Sequence, residues 1–396
     1  MKTSTHPMID AAVAAARKFT NQRDTRRVLR LVRLVKGGDC AIATATDLGS
    51  SVVVTLPCAG EHGIGTGDSI IDPRTGDEQA DMVTMEFPAV FSPVSPDHAV
   101  SGIALRWHDL ALVADRVANV CDNESSRFVL GAVRIERDGG LVHAVGTDAR
   151  RMHILTVAPV SVMGEIAANV PADALVRFAS AVRIAMRAAT GRGGRRLDAA
   201  LAEEIVRVTF TASEAEFRVG YGPAEVRMRV RLAEGRFPAW KSVCDCYASG
   251  WTIDGRLDAP AAVATFKAAA AVAKTVGRQV PGARRDGAVR VAARITDDAV
   301  VVMRPTSPIE PTGPVEFTEA VPAGWPTFAG RPAKVALDPV FVADAVEAAA
   351  AVAGCDEVPM VAGEPNAPVC IRVGSHGRPE SAWGVGFSAV VMPMAQ

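Results

Sequence analysis

The sequence predicts an α+β fold in which one unit, a helix followed by a β-hairpin, is repeated along the chain. The 396 residues exceed the size of one hydrophobic core, because domains usually hold about 100 to 200 residues. Two stretches, 26–47 and 127–148, align without a gap at an offset of 101 residues and share nine of their 22 positions. Self-similarity of this kind indicates a duplicated structural unit.

The first predicted element of the repeat is its hairpin. Each copy has two β-rich runs on either side of a turn of glycine and aspartate. The second run ends at Thr46-Asp47 in one copy and at Thr147-Asp148 in the other. Because the aspartate recurs, we expect it to accept backbone or arginine hydrogen bonds at a strand end. A pair of carboxylates for acid/base catalysis is the less favoured interpretation.

A helix is predicted before each hairpin. In both copies the apolar residues recur with the spacing of one helical face. At the same offset of 101, Ile9, Ala12, Ala16 and Phe19 match Leu110, Val113, Val117 and Val120.

A third and fainter copy follows in the last part of the chain. A helix is predicted over 257–274, where Asp258 suits a helix start. A hairpin is predicted over 287–303 with its turn at Asp297 and Asp298, and it lacks the Thr-Asp strand end.

Second helices are predicted in the second and third copies, over 171–188 and 337–354. The latter has Asp338 as its N-cap, Pro339 in its first turn and Gly354 as its stop. The first copy departs from this plan. Its residues 60–79 are rich in turn formers and offer no second helix, so the first domain is predicted to be abbreviated.

An alternating strand is predicted between these helices, over 226–232. Its core-facing residues are expected to be Val226, Met228, Val230 and Leu232, and its solvent-facing residues Arg227, Arg229 and Arg231.

Composition excludes several classes of protein. The formal net charge is −1, with 43 basic and 44 acidic residues, so any contact with DNA must come from a local arrangement of charge. No apolar run reaches the roughly 18 residues that cross a bilayer, and the start of the chain is unlike a signal peptide because Asp10 interrupts it. We therefore expect a cytoplasmic protein without membrane partners.

The sequence offers no metal or nucleotide motif. Its seven cysteines lack C-x-x-C spacing, and its seven histidines lack H-x-x-x-H spacing. The glycine-rich segment 60–68 lacks the Lys-Ser/Thr of a phosphate-binding loop. No metal and no cofactor are expected.

Three motifs stand in order on this repeated background. The second hairpin leads into "LVHAVGTDARRM", residues 234–243 read "EGRFPAWKSV", and residues 389–396 read "AVVMPMAQ". In this combination the chain resembles the bacterial sliding clamp, the β subunit of DNA polymerase III, along nearly its whole length. The resemblance implies a DNA clamp fold of repeated domains, here 1–102, 103–247 and 248–396, with antiparallel sheets outside, helices inside and head-to-tail closure into a ring.

The resemblance implies a non-catalytic processivity factor. A homodimeric ring would encircle double-stranded DNA without regard to sequence, and it would tether DNA polymerase, clamp loader and repair proteins through short clamp-binding peptides. These peptides would dock in a groove between the second and third domains. Carried over by position, the groove residues are Leu130, Thr147, Ala149, Arg150, Arg151, Met152, Pro238, Val243, Pro368, Val390, Met392 and Met394.

The groove departs from the family pattern at one turn. The family has Gly-His-Arg-Leu after Thr-Asp, whereas this chain has Ala149, Arg150, Arg151 and Met152. We expect the groove to keep its apolar walls but to differ in peptide preference. The alternative for the two arginines is a solvated turn.

Contacts with DNA are expected from basic residues that would bind phosphates in a salt-dependent manner. Helix-surface charge is the alternative for each of them. On predicted helices they are Arg17, Lys18, Arg116, Arg177, Arg183, Arg187, Lys267 and Lys274, and Arg23 and Arg127 before the hairpins match basic positions of the family. The basic segment 190–198 is read equally well as a DNA contact through Arg192, Arg195 and Arg196 or as an exposed loop.

Two other functions compete with a processivity factor. A clamp paralogue could keep the peptide groove as a regulatory module without closing a ring, and the short first domain favours this reading. A nuclease or phosphotransferase would use the acidic and basic strand ends, but no metal constellation supports it.

Overall fold

The structure of the chain is a computed structural model. The structure describes residues 6–37, 39–58, 67–75, 100–122, 128–248, 253–278, 291–296, 299–303, 315–323, 325–328, 331–332, 335–362, 368–374 and 386–394. Two compact units make up the chain. The first unit comprises Met1–Ala144 and Val157–Arg236, and the second comprises Val145–Thr156 and Phe237–Gln396.

The strand pairs of the described residues are antiparallel and form sheets on which helices pack, which is an α+β architecture. The α-helices are α1 (Pro7–Ala16), α2 (Trp107–Leu112), α3 (Ala172–Thr190), α4 (Arg195–Leu201), α5 (Trp240–Ala248), α6 (Ala259–Arg278) and α7 (Pro339–Ala353). The strands are β1 (Val32–Gly37), β2 (Cys40–Thr46), β3 (Ser50–Pro57), β4 (Gly67–Ile71), β5 (Ser101–Arg106), β6 (Ala132–Asp138), β7 (Leu141–Thr147), β8 (Arg151–Val157), β9 (Ser161–Met163), β10 (Ala167–Pro171), β11 (Ile205–Phe210), β12 (Glu214–Tyr221), β13 (Ala224–Arg231), β14 (Ile253–Asp258), β15 (Ala293–Ile295), β16 (Ala299–Met303), β17 (Val315–Ala320), β18 (Thr327–Phe328), β19 (Arg331–Pro332), β20 (Ala336–Leu337), β21 (Glu357–Ala362), β22 (Val369–Gly374) and β23 (Gly386–Val391).

The first unit is built on a nine-stranded antiparallel sheet. Its order is β4-β1-β2-β3-β13-β12-β11-β5-β9, and the two repeats join where β3 pairs with β13, with Val54 opposite Val226. Helices α1 and α3 pack against each other and against β3. Phe178 of α3 contacts Phe217 of β12 with ring centroids 5.7 Å apart, so the core lies between the helices and the sheet.

The second unit has its own layers. Strands β8, β23, β22, β21 and β14 pair in that order, and a separate sheet has the order β17-β16-β15-β20. Helices α6 and α7 pack together, and α7 also packs on β22 and β23. Phe266 of α6 lies 5.7 Å from Trp325 between ring centroids, which places aromatic side chains in this core.

The predicted repeat is confirmed. Strand β7 follows β2 at the offset of 101, and β8 begins at Arg151 as β3 begins at Ser50. The 3-10 turn Arg27–Arg30 recurs as Phe128–Gly131. All eight residues of the matched helix faces are buried: Ile9, Ala12, Ala16, Phe19, Leu110, Val113, Val117 and Val120.

The third hairpin and the second helices are also confirmed. Strands β15 and β16 pair with Ala293 opposite Val302, while the predicted turn residues Asp297 and Asp298 lie outside the described residues. In α7 the Asp338 carboxylate accepts the N–H of Val340 at 3.0 Å. Both α3 and α7 end at a left-handed glycine, Gly191 and Gly354, because glycine carries no Cβ penalty there.

The alternation predicted for 226–232 is confirmed along β13. Val226, Met228 and Val230 are buried and Arg231 is exposed, whereas Leu232 lies half-buried just beyond the strand. Arg227 and Arg229 are half-buried because neighbouring glutamates hold them, Glu225 at 3.0 Å and Glu214 at a shorter distance.

The sequence did not predict one strand of the first repeat. Within residues 60–79, which are rich in turn formers, Gly67–Ile71 form β4, which pairs with β1 as β10 pairs with β6. A five-residue edge strand between turn formers gives little periodicity, and the pairing to β1 decides its structure. Residues 59–66 and 76–99 lie outside the described residues, so the missing second helix, the abbreviated first domain and the three-domain division stay predictions.

Candidate functional site

The turn between β7 and β8 is held by its threonine and its aspartate. The Thr147 hydroxyl donates to the carbonyl of Arg151 at 2.7 Å and accepts the N–H of Ala149 at 3.1 Å. The Asp148 carboxylate accepts the N–H groups of Arg150 and Arg151, each at 2.9 Å. The Thr147 hydroxyl and the Asp148 carboxylate therefore form hydrogen bonds with the backbone of their own turn and stabilise it.

The turn between β2 and β3 repeats this pattern. Thr46 donates to the carbonyl of Ser50 and accepts from Leu48, both at 3.0 Å. Asp47 accepts the N–H groups of Gly49 at 3.0 Å and Ser50 at 2.7 Å. The expected structural role of the repeated Thr-Asp is therefore confirmed.

Both turns require an unusual backbone conformation. Leu48 has φ +74° and Ala149 has φ +68°, and among the residues described they are the non-glycine residues with positive φ. They stand 101 residues apart at the same position of the repeat. Left-handed backbone costs an L-residue roughly 1–2 kcal/mol, so the turn keeps this geometry against the preference of either side chain.

Arg151 is held inside the second unit. Its guanidinium bonds the Asp344 carboxylate of α7 at 2.7 Å and the Asp148 carboxylate at 3.2 Å. The guanidinium carbon also lies 4.2 Å from the centroid of the Phe341 ring. The side chain is only 12% exposed, so most of its hydrogen-bonding capacity serves the fold.

In both units an ion pair joins the turn to a helix, and we call this ion pair the fastening of the turn. In the first unit the acidic and basic partners are exchanged. Asp47 of the turn pairs with Arg177 of α3 at 2.5 Å, and the guanidinium of Arg177 lies 5.2 Å from the Phe19 ring. Arg177 is the sixth residue of α3 and Asp344 is the sixth of α7. Each turn is thus held at the same position of its helix. The turn contributes the aspartate, Asp47, in the first unit and the arginine, Arg151, in the second.

The C-terminal tail adds the methionines to this turn. The Met392 N–H donates to the Arg150 carbonyl at 2.9 Å, and the Met394 N–H donates to the Ala336 carbonyl at 2.8 Å. In the paired strands Val390 lies opposite Met152. The structure therefore brings together the turn residues and the tail residues of the predicted groove.

The predicted groove residues differ widely in exposure. Thr147, Met152, Pro368 and Val390 are buried, Arg151, Met392 and Met394 are half-buried, and Ala149, Arg150, Pro238 and Val243 are exposed. In the second unit Pro238 lies just before α5, and Val243 lies within α5. Leu130 is buried in the first unit. The exposed polar edge in the second unit is therefore Arg150, with Met392 and Met394 as accessible apolar atoms.

The predicted DNA contacts also separate by environment. Arg183 is half-buried and bonds Asp115 at 2.7 Å and Asp198 at 3.4 Å, and the hydrogen bond to Asp115 raises the pKa of its guanidinium. Arg177 is neutralised by Asp47, and Lys267, though exposed, pairs with Glu347 at 2.6 Å.

The other predicted DNA contacts divide by exposure. Arg116 is half-buried, and Arg127 lies outside the described residues. The exposed basic residues are Arg17, Lys18, Arg23, Arg187 and Lys274.

Sequence reasoning missed Asp344 and Phe341. Asp344 lies 193 residues from Arg151, and no local pattern connects the two. The sequence did offer one signal for Asp344. When α3 and α7 are aligned as equivalent helices of the repeat, Asp344 takes the position of Arg177, which the sequence analysis singled out as a DNA contact.

The described residues hold no group of three or more His, Cys, Asp or Glu side chains that could bind a metal ion. Within the same part of the chain, no helix is both long and apolar enough to cross a membrane.

Comparison with known proteins supports the repeat-based expectation of the fold. No known family pattern matches the chain, and no curated protein does. Solved structures do match. The β subunit of DNA polymerase from Streptococcus pyogenes superposes with TM-score 0.70 at 14% identity, covering 99% of this chain and 98% of that chain.

Two further sliding clamps agree with it. The Pseudomonas aeruginosa clamp bound to griselimycin has TM-score 0.67 at 14% identity and covers 99% of this chain and 98% of its own. The Bacillus subtilis clamp has TM-score 0.66 at 13% identity and covers 98% and 97%. Near-complete coverage in both directions at such low identity means that the architecture is shared while most side chains differ. The chain therefore has the fold of the bacterial sliding clamps, the β subunits of DNA polymerase III.

Proposed function

We propose that the protein is a sliding clamp that acts as a processivity factor. Two copies close into a ring around double-stranded DNA, and a peptide groove tethers the polymerase to it. The protein holds DNA topologically, so dissociation requires opening of the ring and not only the breaking of phosphate contacts. No chemistry is performed on the DNA.

The observation that carries this proposal is the edge of strand β17. The third repeat has the order β20-β15-β16-β17, as the first has β4-β1-β2-β3. In the first repeat the last strand of the series, β3, pairs with β13 of the next repeat. The corresponding strand of the second repeat, β8, pairs with β23.

Strand β17 is the counterpart of β3 and β8, yet it ends its sheet among the described residues. Thr318, Glu319 and Ala320 along it are exposed. An uncovered edge carries unpaired N–H and C=O groups that favour pairing with another strand. A second copy of the chain can supply that strand, and a head-to-tail joint made twice closes a ring.

The groove is the second part of the proposal. Arg150 is exposed beside the half-buried Met392 and Met394. Methionine adapts its shape to different apolar side chains, and a cation at the edge fixes the orientation of a peptide. Polymerase, clamp loader and repair proteins would share this surface through short peptides.

The ring is tested by mass and by topology. Light scattering after size exclusion is expected to give twice 41.4 kDa. Protein loaded onto nicked circular DNA should co-elute with the circle and should be lost when the circle is linearised, which controls for simple adhesion. A strict monomer that is never trapped on circles would refute the ring.

A regulatory peptide-binding module without ring closure is the second candidate. It is favoured by the fact that the turn and the C-terminal tail lie in one compact unit, so the groove does not depend on a partner copy. Titration of a clamp-binding peptide into the wild type and into Met392→Ala and Arg151→Ala would test it. Peptide binding by a strict monomer, weakened in Met392→Ala, supports the module, and absence of binding by the wild type removes it.

A further inference from the structure

We propose that a pocket on the first unit's sheet docks an extended segment of a partner protein, which brings one acidic and one basic side chain. The pocket is lined by β11, β12 and residues beside them, and its volume is about 430 Å³. Ligand pockets usually measure about 300 to 1,000 Å³. The lining belongs to the first unit, whereas the turn and the tail of the groove belong to the second, so the proposal goes beyond the proposed function. We call this site the β11–β12 pocket.

A glycine opens the β11–β12 pocket. Gly220 lies in β12, two residues after Arg218 and opposite Glu225 of β13, and all three line the pocket. Alternate residues of a strand share a face of the sheet, so the missing side chain leaves a gap beside Arg218. A Cβ at Gly220 would lie 3.3 Å from the carbonyl oxygen of Ala224, which leaves little room for one. Glycine inside a strand often marks a place where a ligand or another backbone approaches closely.

Two arginines lie side by side in the lining. Arg207 of β11 is directly opposite Arg218 of β12, and like charges in such positions destabilise a sheet. Arg218 bonds Glu225 through its Nε at 2.5 Å, and its terminal nitrogens make no hydrogen bond to the residues described. Arg207 is exposed and has no ion pair in the same part of the chain. A carboxylate that binds both guanidinium groups would relieve their repulsion.

The acidic side of the pocket has one carboxylate to spare. Glu203 and Glu225 are held by arginines, at 2.9 and 2.5 Å. Glu204 also lines the pocket and is half-buried, yet among the described residues its side chain has neither an ion pair nor a hydrogen bond. The β11–β12 pocket therefore presents an unpaired cation, Arg207, and an unpaired anion.

These charges identify the class of ligand. A molecule with carboxylates alone would be repelled by a lining that holds three glutamates and two arginines. Glu204 and Arg207 are three residues apart, which is about 10 Å in an extended chain, and a free amino acid carries both of its charges on one carbon. In an extended peptide, acidic and basic side chains two positions apart share one face at a spacing of about 7 Å and can reach both groups. The methylenes of the basic side chain can also pack on Ile205, an apolar part of the lining.

The test measures peptide binding to the full chain by saturation-transfer difference NMR. The probe is the capped peptide acetyl-Gly-Glu-Ser-Lys-Gly-amide, whose termini carry no charge. Control peptides replace the glutamate, the lysine or both by glutamine. The variants Arg207→Gln and Glu204→Gln each remove one proposed contact. Their matched controls are Arg231→Gln and Glu234→Gln, because these residues are exposed, lie outside the pocket lining and change the charge equally.

We expect the probe to bind with a dissociation constant on the order of 1 mM, because its contacts are few and solvent-exposed. Loss of either charge from the peptide should weaken binding about fivefold. Arg207→Gln should abolish the preference for glutamate over glutamine in the peptide, and Glu204→Gln the preference for lysine. The matched controls should change the affinity by less than about twofold. Circular dichroism melting shows that each variant is folded.

The proposal fails if the wild type shows no saturable binding of the probe up to about 10 mM, or if the matched controls lose as much affinity as the pocket variants. Equal binding of the peptide that keeps only its glutamate would reveal a simple anion site and would overturn the proposal as well. Glycylglycine with free termini tests the other source of paired charges, and its equal competition with the probe would refute docking of a protein segment. None of these outcomes affects trapping on circular DNA, so the proposed function stands or falls separately.

Discussion

Two substitutions should convert the ion pair that holds the turn before β8 into the kind of ion pair that holds the turn before β3. In the second unit Arg151 bridges Asp148 and Asp344. In the first unit the equivalent aspartate binds Arg177 directly, and the equivalent of Arg151 is Ser50, which lies 3.1 Å from the same guanidinium. The double variant Arg151→Ser/Asp344→Arg should therefore build an Asp148–arginine pair of the kind that the chain already contains.

The single variants should each be costly. Arg151→Ser removes two charge-assisted hydrogen bonds and a cation–π contact with Phe341, and it leaves partly buried carboxylates, for a loss of about 2–4 kcal/mol. Asp344→Arg places a second guanidinium against Arg151, for a loss of about 1–3 kcal/mol, limited because the Asp344 side chain is 45% exposed and screened by solvent. The double variant regains an ion pair and should lose no more than about 1 kcal/mol relative to the wild type, which gives a coupling of about 4 kcal/mol when the midpoints of the two single losses are used.

The measurement is a double-mutant cycle in urea at pH 7, followed by circular dichroism and by tryptophan fluorescence, since Trp240 and Trp325 report on the second unit. The coincidence of the two signals is required before free energies of unfolding are compared. High salt should shrink the coupling only in part, because Arg151 is 12% exposed. Additive losses, with a coupling below about 0.5 kcal/mol, would refute the equivalence of the two fastenings.

Three further predictions follow from single sites. Leu48→Gly and Ala149→Gly should each leave the free energy of unfolding unchanged or raise it by up to about 1 kcal/mol, because relief of left-handed strain outweighs or balances the greater entropy of the unfolded chain; a clear loss in urea titration would contradict the strained turn. Burial raises the pKa of Asp109, so its carboxyl increasingly destabilises the folded state as the pH rises from the ordinary pKa of aspartate towards the raised one. Asp109→Asn should therefore be more stable than the wild type at pH 7 but not at pH 3, and an equal difference at both pH values would exclude titration as the cause. Burial also raises the pKa of Cys370 to about 11, so a maleimide at pH 7.5 should modify the exposed Cys355 and spare Cys370, and rapid modification of both in the folded protein would contradict the buried core position.

The sequence predicts most of the fold where the signal is local. Apolar spacing identified the buried faces of α1 and α2 and of the π- and 3-10-helical turns that follow them. Cap residues identified the ends of α7, because helix periodicity and capping depend on neighbours within a few residues. Strand β4 was missed because only five residues, Gly67–Ile71, lie between turn formers, and its pairing to β1 provides the remaining information.

The candidate site was predicted in position but not in detail. The repeat separated Thr147 and Asp148, which have counterparts, from Arg151, and the methionines of the tail meet the same turn. The role of Arg151 could not be predicted, because Asp344 is distant in sequence. An arginine on a turn looks the same in the sequence whether its side chain faces solvent or pairs with an aspartate. Long-range ion pairs carry no periodic signature.

The exchanged charges of the two fastenings also specify which turn meets which helix. If the Asp47 turn were placed against α7, its carboxylate would face Asp344. If the turn of Arg151 were placed against α3, its guanidinium would face Arg177. Both wrong pairings bring like charges together in partly buried positions, whereas both native pairings bring opposite charges together at 2.5 and 2.7 Å.

In a chain built from repeated units, equivalent surfaces can exchange partners during folding, and selectivity requires a penalty on the wrong combination as well as a gain on the right one. The four side chains of the two fastenings supply both the gain for the native pairing and the penalty for the wrong one. The difference between Arg151 and its counterpart Ser50 therefore distinguishes one repeat from the other.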